Sequence, residues 1–312
     1  MHHKYVYLVV FLMLSILSFA QVEELATKNI ICIGESHYLS EKNDAERAVI
    51  EEILDHSPFD TITIALEKHL SLEYFINYRP ELLNTYYIYL KERHFEGELV
   101  EVLAFFYEFT QDLIDIVDLN PQKQIEIVCY DSSFQLRNMY FAVLTILSQN
   151  KNSSMFKMYH KPLDSILHKK SLYLSDSVLL RKMRDSFDAE CCSYTNADCE
   201  YLNRMLNTPF YPAYGHKREE HMFRQLNKYI AKDKQTIVIG GSAHLQNKKG
   251  RENLFYLLSK RHDGWFKKRV CNIGVLPKNI KAEALPLYNH LILISEDHIL
   301  KNLYESEYGK NN

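Results

Sequence analysis

Four short stretches of this sequence end in side chains that can move protons or hold charge. "IICIGESH" (30–37) finishes an apolar run with Glu35 and His37, and "FDTITIALEKH" (59–69) delivers Glu67. "IEIVCYD" (125–131) delivers Asp131, and "TIVIGGSAH" (236–244) delivers Ser242 and His244. Such groups suit hydrolysis of an ester or amide. An imidazole, His37 or His244, could take a proton from water near neutral pH. A carboxylate, Glu35 or Glu67, would orient that imidazole and stabilise its cation. Arg218, always charged and able to make two parallel hydrogen bonds, could bind an anionic group or a developing oxyanion. Arg47 has a weaker claim to the same role. Ser36 and Ser242 carry no Gly-x-Ser-x-Gly elbow, the usual signal of a serine nucleophile. His37, Glu67 and His244 would equally serve as ligands of Zn²⁺ or Mn²⁺, and the residue types do not choose between a metal and a metal-free site.

Taken singly, each of these positions reads as a wet loop residue at the end of a strand. Asp131 is the weakest, since Asp often caps the turn or helix that follows. The joint pattern carries the reading. Two Gly-x-x-His motifs, "GESH" (34–37) and "GSAH" (241–244), follow two different apolar runs, and Gly permits both a sharp turn and a close approach.

The elements that must position these groups alternate. Runs rich in β-branched residues occupy 29–34, 61–66, 124–130, 235–241, 270–276 and 291–295, several of them apolar throughout, as expected for strands buried on both faces. Helical stripes lie between them: Ala45, Val49, Ile50, Ile53 and Leu54 in one, Met222, Phe223, Leu226 and Ile230 in another. Strands alternating with helices predict an α/β fold with a mainly parallel central sheet flanked by helices. In such a sheet ligands bind outside the carboxyl ends of the strands, where the four stretches above end. A helix preceding a parallel strand starts at that same edge, which brings in Arg218. Segments 68–123 and 132–215 are longer than a crossover needs. We read them as a helical cap over the strand carboxyl ends, whose Tyr and Phe would either line an apolar pocket or fill a second small core.

His2, His3 and Lys4, an apolar stretch, and Ser18-Phe19-Ala20 before Gln21 have the form of a cleaved signal peptide over residues 1–20. A periplasmic or secreted protein beginning near Gln21 is expected, as one domain over 21–312. The rival reading of the same stretch is an uncleaved anchor helix; no Cys directly follows the cleavage point, so a lipid anchor is not expected, and after cleavage no stable membrane anchor is expected. The formal net charge is −3, one unit more negative once Lys4 leaves, with no basic stripe to suit nucleic acid. The expected partner is a small-molecule or peptide substrate. Low Gly and Pro with 46% hydrophobic residues fit an ordered globular chain. Cys32, Cys129 and Cys271 sit in strand runs and read as buried thiols, whereas Cys191, Cys192 and Cys199 share a polar loop where a local bridge to Cys199 is expected.

The ordered blocks "IICIGESH", the helix with Arg47, "FDTITIALEKH", "IEIVCYD", "KREEHMFRQL" and "TIVIGGSAH" resemble the motifs of the erythromycin esterase-like proteins. These belong to a wider group with the ChaN-like haem-binding lipoproteins and the TraB/TIKI-type proteins. The resemblance covers about residues 28–247, in the motif blocks alone. It implies that His37, Glu67 and His244 correspond to the esterase active-site core, with Glu35 beside them. It also implies that Arg218, Glu219 and Met222 match an R-D/E-x-x-M helix start. A single residue, Ser36, separates Glu35 from His37, where the esterases usually have two; that spacing is closer to the ChaN-like and TIKI-type pattern. The TIKI-type relatives imply a divalent metal. The ChaN-like relatives imply haem without catalysis, for which the 14 His and 22 Tyr of the chain are possible iron ligands.

Overall fold

β-Branched side chains pack well on a pleated surface, and the runs that contain them become six strands in the computed structural model. These are β1 (Ile30–Glu35), β2 (Thr61–His69), β3 (Gln124–Asp131), β4 (Gln235–Gly241), β5 (Val270–Pro277) and β6 (His290–Ile294). They form one parallel sheet in the order β3-β2-β4-β1-β5-β6, an α/β fold with helices flanking the sheet. The structure describes residues 24–35, 42–94, 98–131, 136–169, 177–187, 194–208, 216–248, 252–260, 268–277 and 287–294, with only the backbone for 93, 94, 98–103 and 105. The expected signal peptide, His37 and Ser36 lie outside these residues. In chain order the described α-helices are α1 (Lys42–His56), α2 (Leu70–Tyr78), α3 (Leu83–His94), α4 (Glu98–Leu119), α5 (Leu136–Gln149), α6 (Ser154–Leu167), α7 (Val178–Phe187), α8 (Asn196–Asn207), α9 (His216–Leu226), α10 (Ser242–Leu245) and α11 (Leu254–Lys260). None of the described helices is long and apolar enough to cross a membrane.

The chain divides into two compact units: Met1–Ala65 with Glu108–Glu126 and Leu226–Asn312, and Leu66–Tyr107 with Ile127–Gln225. In the first, β1 lies between β4 and β5 and is buried along its whole length, as its unbroken apolar run requires. Ile31, Ile33, Ile50, Ile53, Leu54, Ile237 and Leu257 belong to its core. Side chains fasten the strand entries. Asn29 Nδ2 donates to the Lys232 and Lys234 carbonyls at 3.0 and 2.9 Å, and Gln235 Nε2 donates to the Ala26 and Lys28 carbonyls at 2.8 and 2.9 Å.

In the second unit aromatic side chains fill a core of their own. Phe75 and Tyr86 stack at 4.7 Å, Tyr89 and Phe141 at 4.4 Å, and Tyr74, Phe75 and Tyr140 are fully buried. Of the two uses open to the Tyr and Phe of the long helical segments, these residues serve the second, a packed core.

Three local expectations need correction. β2 does not stop at Leu66 but runs through Glu67, Lys68 and His69, because the chain leaves the sheet only where His69 caps α2. α9 ends at Leu226, where a turn is closed by the Tyr229 N–H on the Leu226 carbonyl at 2.9 Å, so Ile230 is not part of its apolar stripe. The buried face of α1 is Lys42, Asn43, Glu46, Ile50, Ile53 and Leu54, not the stripe through Ala45 and Val49. A hydrophobicity pattern passes over Lys42 and Glu46 because both are charged.

The thiols Cys32, Cys129 and Cys271 are free and buried, and burial pushes each thiol pKa up. Cys199 is disulfide-bonded, while Cys191 and Cys192 lie outside the described residues.

Candidate functional site

In the first unit β1 ends at Glu35, which is 4% exposed and stands in register with Gly241 of β4 and Val275 of β5. Its Oε2 accepts a hydrogen bond from Lys42 Nζ at 2.5 Å. Lys42 opens α1 and is completely buried, and Glu46, one helical turn later and equally buried, brings Oε2 to 3.6 Å from the same ammonium. The ring of Phe109 lies 5.4 Å from Nζ and adds a cation–π contact. Two carboxyl groups thus share one ammonium away from water. Burial works against the Lys42 cation, but Glu35 and then Glu46 outweigh it and its pKa rises. Burial, followed by the charge of Glu35, pushes the Glu46 carboxyl well above its ordinary value, so Glu46 keeps its proton. Neither oxygen of Glu46 has a hydrogen-bond partner.

His244 lies on α10, directly after β4, and is 7% exposed. Because Gly241 is paired with Glu35, α10 begins beside the end of β1. The two glycines of the Gly-x-x-His motifs act differently. A Cβ on Gly34 would meet Tyr288 Cε1 at 3.0 Å and Ser242 Cα at 3.4 Å, so close approach requires glycine there. Gly241 has φ −55°, a conformation open to any residue. Tyr288, whose ring fills the space against Gly34, donates its hydroxyl hydrogen to the Ser242 carbonyl at 3.3 Å. Arg47 is engaged elsewhere: its Nε donates to Glu51 at 2.9 Å and its Nη1 to Asp112 at 2.6 Å, with a third of the side chain exposed.

In the second unit the guanidinium of Arg218, in the first turn of α9, joins the ends of two strands. Nε and Nη2 form a fork on Asp131 at 3.0 and 2.9 Å, and Nη2 also donates to Glu67 Oε1 at 2.7 Å. All three side chains are at most 8% exposed. Burial opposes the cation, but the bonds to Asp131 and the charge of Glu67 more than offset it, and the Arg218 pKa rises. Asp131, ranked last on sequence grounds, is therefore the bidentate partner of the arginine. An anionic ligand of Arg218 would compete with two carboxylates already in place.

Two residues beyond Glu67, on the same side of the strand by its two-residue alternation, stands His69, which the sequence reading passed over. It is 1% exposed, and the Ser71 backbone N–H donates to its Nδ1 at 3.1 Å, capping α2. Its Nε2 has no hydrogen-bond partner. Burial, only partly opposed by Asp131, pushes its pKa down to about 4. The detectable signal was the Glu-x-His alternation at a strand end, hidden once the strand was closed at Leu66. Glu73, also buried, is by contrast fully engaged: it accepts from the Cys129 N–H at 2.6 Å, the Tyr201 hydroxyl at 2.6 Å and Arg204 Nη1 at 2.8 Å.

Among the described residues no group of three or more His, Cys, Asp or Glu is placed to hold a metal ion, and Glu67 already has a guanidinium in direct contact. His37, one of the three ligands of the implied metal set, lies outside the described residues. Burial pushes the Tyr74, Tyr86, Tyr201 and Tyr288 hydroxyls up.

No protein-family model matches the chain, and no curated protein matches it. Among solved structures it is similar to a Bacillus cereus protein at 15% identity and TM-score 0.47, with 81% of this chain and 67% of that one covered. It is similar to a succinoglycan biosynthesis protein at 13% identity and TM-score 0.46, covering 82% and 68%. A third is ChaN of Campylobacter jejuni, described with cofacial haem binding, at 14% identity and TM-score 0.36, covering 84% and 87%. The structural neighbours thus include a haem-binding ChaN, at distances that carry no argument about the chemistry of this chain.

Proposed function

We propose that this protein is an exported hydrolase of erythromycin esterase-like type that cleaves an ester or amide bond with an activated water. The observation that supports the reading is the buried Glu35–Lys42–Glu46 cluster at the end of β1, in register with the strand that leads into His244. Charged groups buried together often cost more than an apolar core of the same shape, and groups with shifted protonation cluster at functional sites. Lys42 fixes the Glu35 carboxylate, and Glu46, holding its proton, adds no second negative charge. A carboxylate held in this way can orient an imidazole. His244 or His37 would take the proton of water as the oxygen attacks the carbonyl carbon, then return it to the departing alcohol or amine. In the second unit Arg218, braced by Asp131 and Glu67, would recognise an anionic group by exchanging one carboxylate for another.

The test is a screen of ester and peptide libraries on the secreted, mature protein, with and without chelator. Hydrolysis that survives chelator and falls at least about 100-fold in kcat/KM in His37→Ala or His244→Ala supports the reading. Full activity in both folded variants removes the base assignment. Chelator-sensitive hydrolysis would favour a metal peptidase of TIKI type, and tight haem binding without hydrolysis a ChaN-like carrier.

A further inference from the structure

α10 is a single helical turn, and one turn cannot hold its shape by its own hydrogen bonds. The Gln246 N–H closes it on the Ser242 carbonyl at 3.0 Å. Three further carbonyls, of Ala243, Leu245 and Gln246, are met by side chains from elsewhere in the first unit. Asn253 Nδ2 donates to Ala243 and Gln246 at 3.2 and 2.8 Å, the latter shared with the Lys248 N–H at 3.0 Å. Asn272 Nδ2 donates to Leu245 at 2.9 Å and to Leu287 at 2.9 Å. Carbonyls only accept and backbone N–H groups only donate, so both amides have one orientation. The Tyr256 N–H donates to Asn253 Oδ1 at 3.1 Å and thereby caps α11, while the Asn289 N–H donates to Asn272 Oδ1 at 2.9 Å. Both Asn side chains are buried, as is His244, the one ionisable side chain of the turn. A chain that merely leaves a sheet can do so as a wet loop, with water on its carbonyls. Here two buried amides hold the exit instead.

We propose that Asn253 is a positioning residue: acting with Asn272, it fixes the turn that carries His244 and so sets where the imidazole stands beside the end of β1. The role in a reaction rests on the hydrolase reading, whereas the clamp itself does not. Asn253 acts through the backbone of the turn and not on the substrate. A base must stand within hydrogen-bond reach of the water it activates, and a misplacement of about 1 Å can cost about 100-fold in rate. One helical turn does not supply such precision alone, and hydrogen bonds from the surrounding shell provide it. The clamp also has the right reference point. Asn272 is paired with Cys32 of β1, three residues before Glu35, so the turn is held relative to the strand that carries the carboxylate.

The test is Asn253→Asp in the full mature chain. An ionised Asp still accepts from the Tyr256 N–H and keeps the cap on α11, but it has no hydrogen for the Ala243 and Gln246 carbonyls. Asn29→Asp is the matched control, because Asn29 is equally buried and gives its amide hydrogens to two carbonyls at the amino ends of the strands. Both variants should lose stability. Asn253→Asp alone should move or split the His244 Cε1–Hε1 correlation in NMR spectra, a signal identified by its loss in His244→Ala. It alone should lower kcat on an ester found by the library screen, by at least about 10-fold with little change in KM. An unchanged His244 correlation or an unchanged kcat in folded Asn253→Asp overturns the proposal, and so do equal changes in Asn29→Asp. Should Asn253→Asp not fold, Asn253→Ser, which also caps but lacks the paired amide hydrogens, is read in the same way. If neither folds, Asn253 is a folding residue and the positioning role fails. If the parent hydrolyses no ester or amide, the hydrolase reading fails, and the His244 correlation still decides whether the clamp sets the ring.

Discussion

Glu46 and Glu73 are both carboxyl groups removed from water, and they are treated in opposite ways. Glu73 takes three donors, the Cys129 N–H, the Tyr201 hydroxyl and Arg204, and ties β3 to α8 through α2. Glu46 takes none, stands 3.6 Å from an ammonium that Glu35 holds more tightly, and keeps its proton instead. A buried carboxylate whose lone pairs are met by donors stabilises a fold; one left without donors avoids the cost of burial by staying neutral. The first arrangement is what a core selects. The second makes sense where the extra carboxyl tunes a neighbour, and its neighbours are Lys42 and, through it, Glu35.

The sharpest break of this comparison comes at Lys42. Lys42→Met removes the ammonium that faces both carboxyl groups and leaves Glu35 and Glu46 buried together. Breaking a buried pair from one side costs about 3–5 kcal/mol. Urea unfolding at pH 7 should show that loss, and Lys42→Met with Glu35→Gln should recover part of it, because the stranded charge is gone. A Lys42→Met chain as stable as the parent would mean that the cluster is not buried as described.

Proton linkage separates the two units next. The unfolded His69 ring binds a proton near its ordinary 6.5, while the folded one resists down to about 4. Between those values the unfolded chain holds more protons, so stability is full above pH 6.5 and falls as the pH drops towards 4, by about 3 kcal/mol in all. Glu46 acts in the other direction. Its folded pKa is raised above the ordinary 4.5, so its contribution is full below that value and is lost as the pH rises. Chemical unfolding between pH 4 and 8 should show the acid limb flattened in His69→Asn and retained in Glu46→Gln. An acid limb unaffected by His69→Asn would show that the ring is not held neutral by the fold.

The two clusters were not equally legible in the sequence. Glu35, Glu67, Asp131 and His244 could be found because β-branched runs mark strands, and a polar residue after such a run marks the carboxyl end of a parallel sheet. The Arg218 partnership was half visible: the helix start placed the arginine, but nothing local shows that Asp131 would take its fork across 87 residues of chain. Lys42 and Glu46 were hidden because hydrophobic periodicity counts charged residues as solvent-facing, whereas a charge met by its opposite can lie on the buried side of a helix. His69 was hidden by a boundary error of three residues, the kind strand ends invite, since the pattern there gives way to the chemistry of the cap. The break between units, which parts α4 at Glu108, follows packing between residues far apart in the chain and leaves no mark in the local sequence.

The smallest effect is also the most discriminating. Glu→Gln keeps shape and one acceptor oxygen but cannot carry charge. At Glu73 the change weakens a charge-assisted bond to Arg204 and sets an amide hydrogen against a donor already in place, the Cys129 N–H or the Tyr201 hydroxyl, for a loss of about 2–3 kcal/mol. At Glu46 the amide replaces a group that is neutral already, and no donor loses its acceptor. Glu46→Gln should therefore change stability by less than about 1 kcal/mol near pH 5. Above that pH it should match or exceed the parent, because the unfolded variant no longer gains a carboxylate that the fold must neutralise. Unfolding of both variants at pH 5 and pH 8 reads the contrast directly. A loss at Glu46 equal to that at Glu73, and the same at both pH values, would make Glu46 an ordinary charged partner of Lys42 and remove the distinction between a carboxyl that holds the fold and one that serves a site.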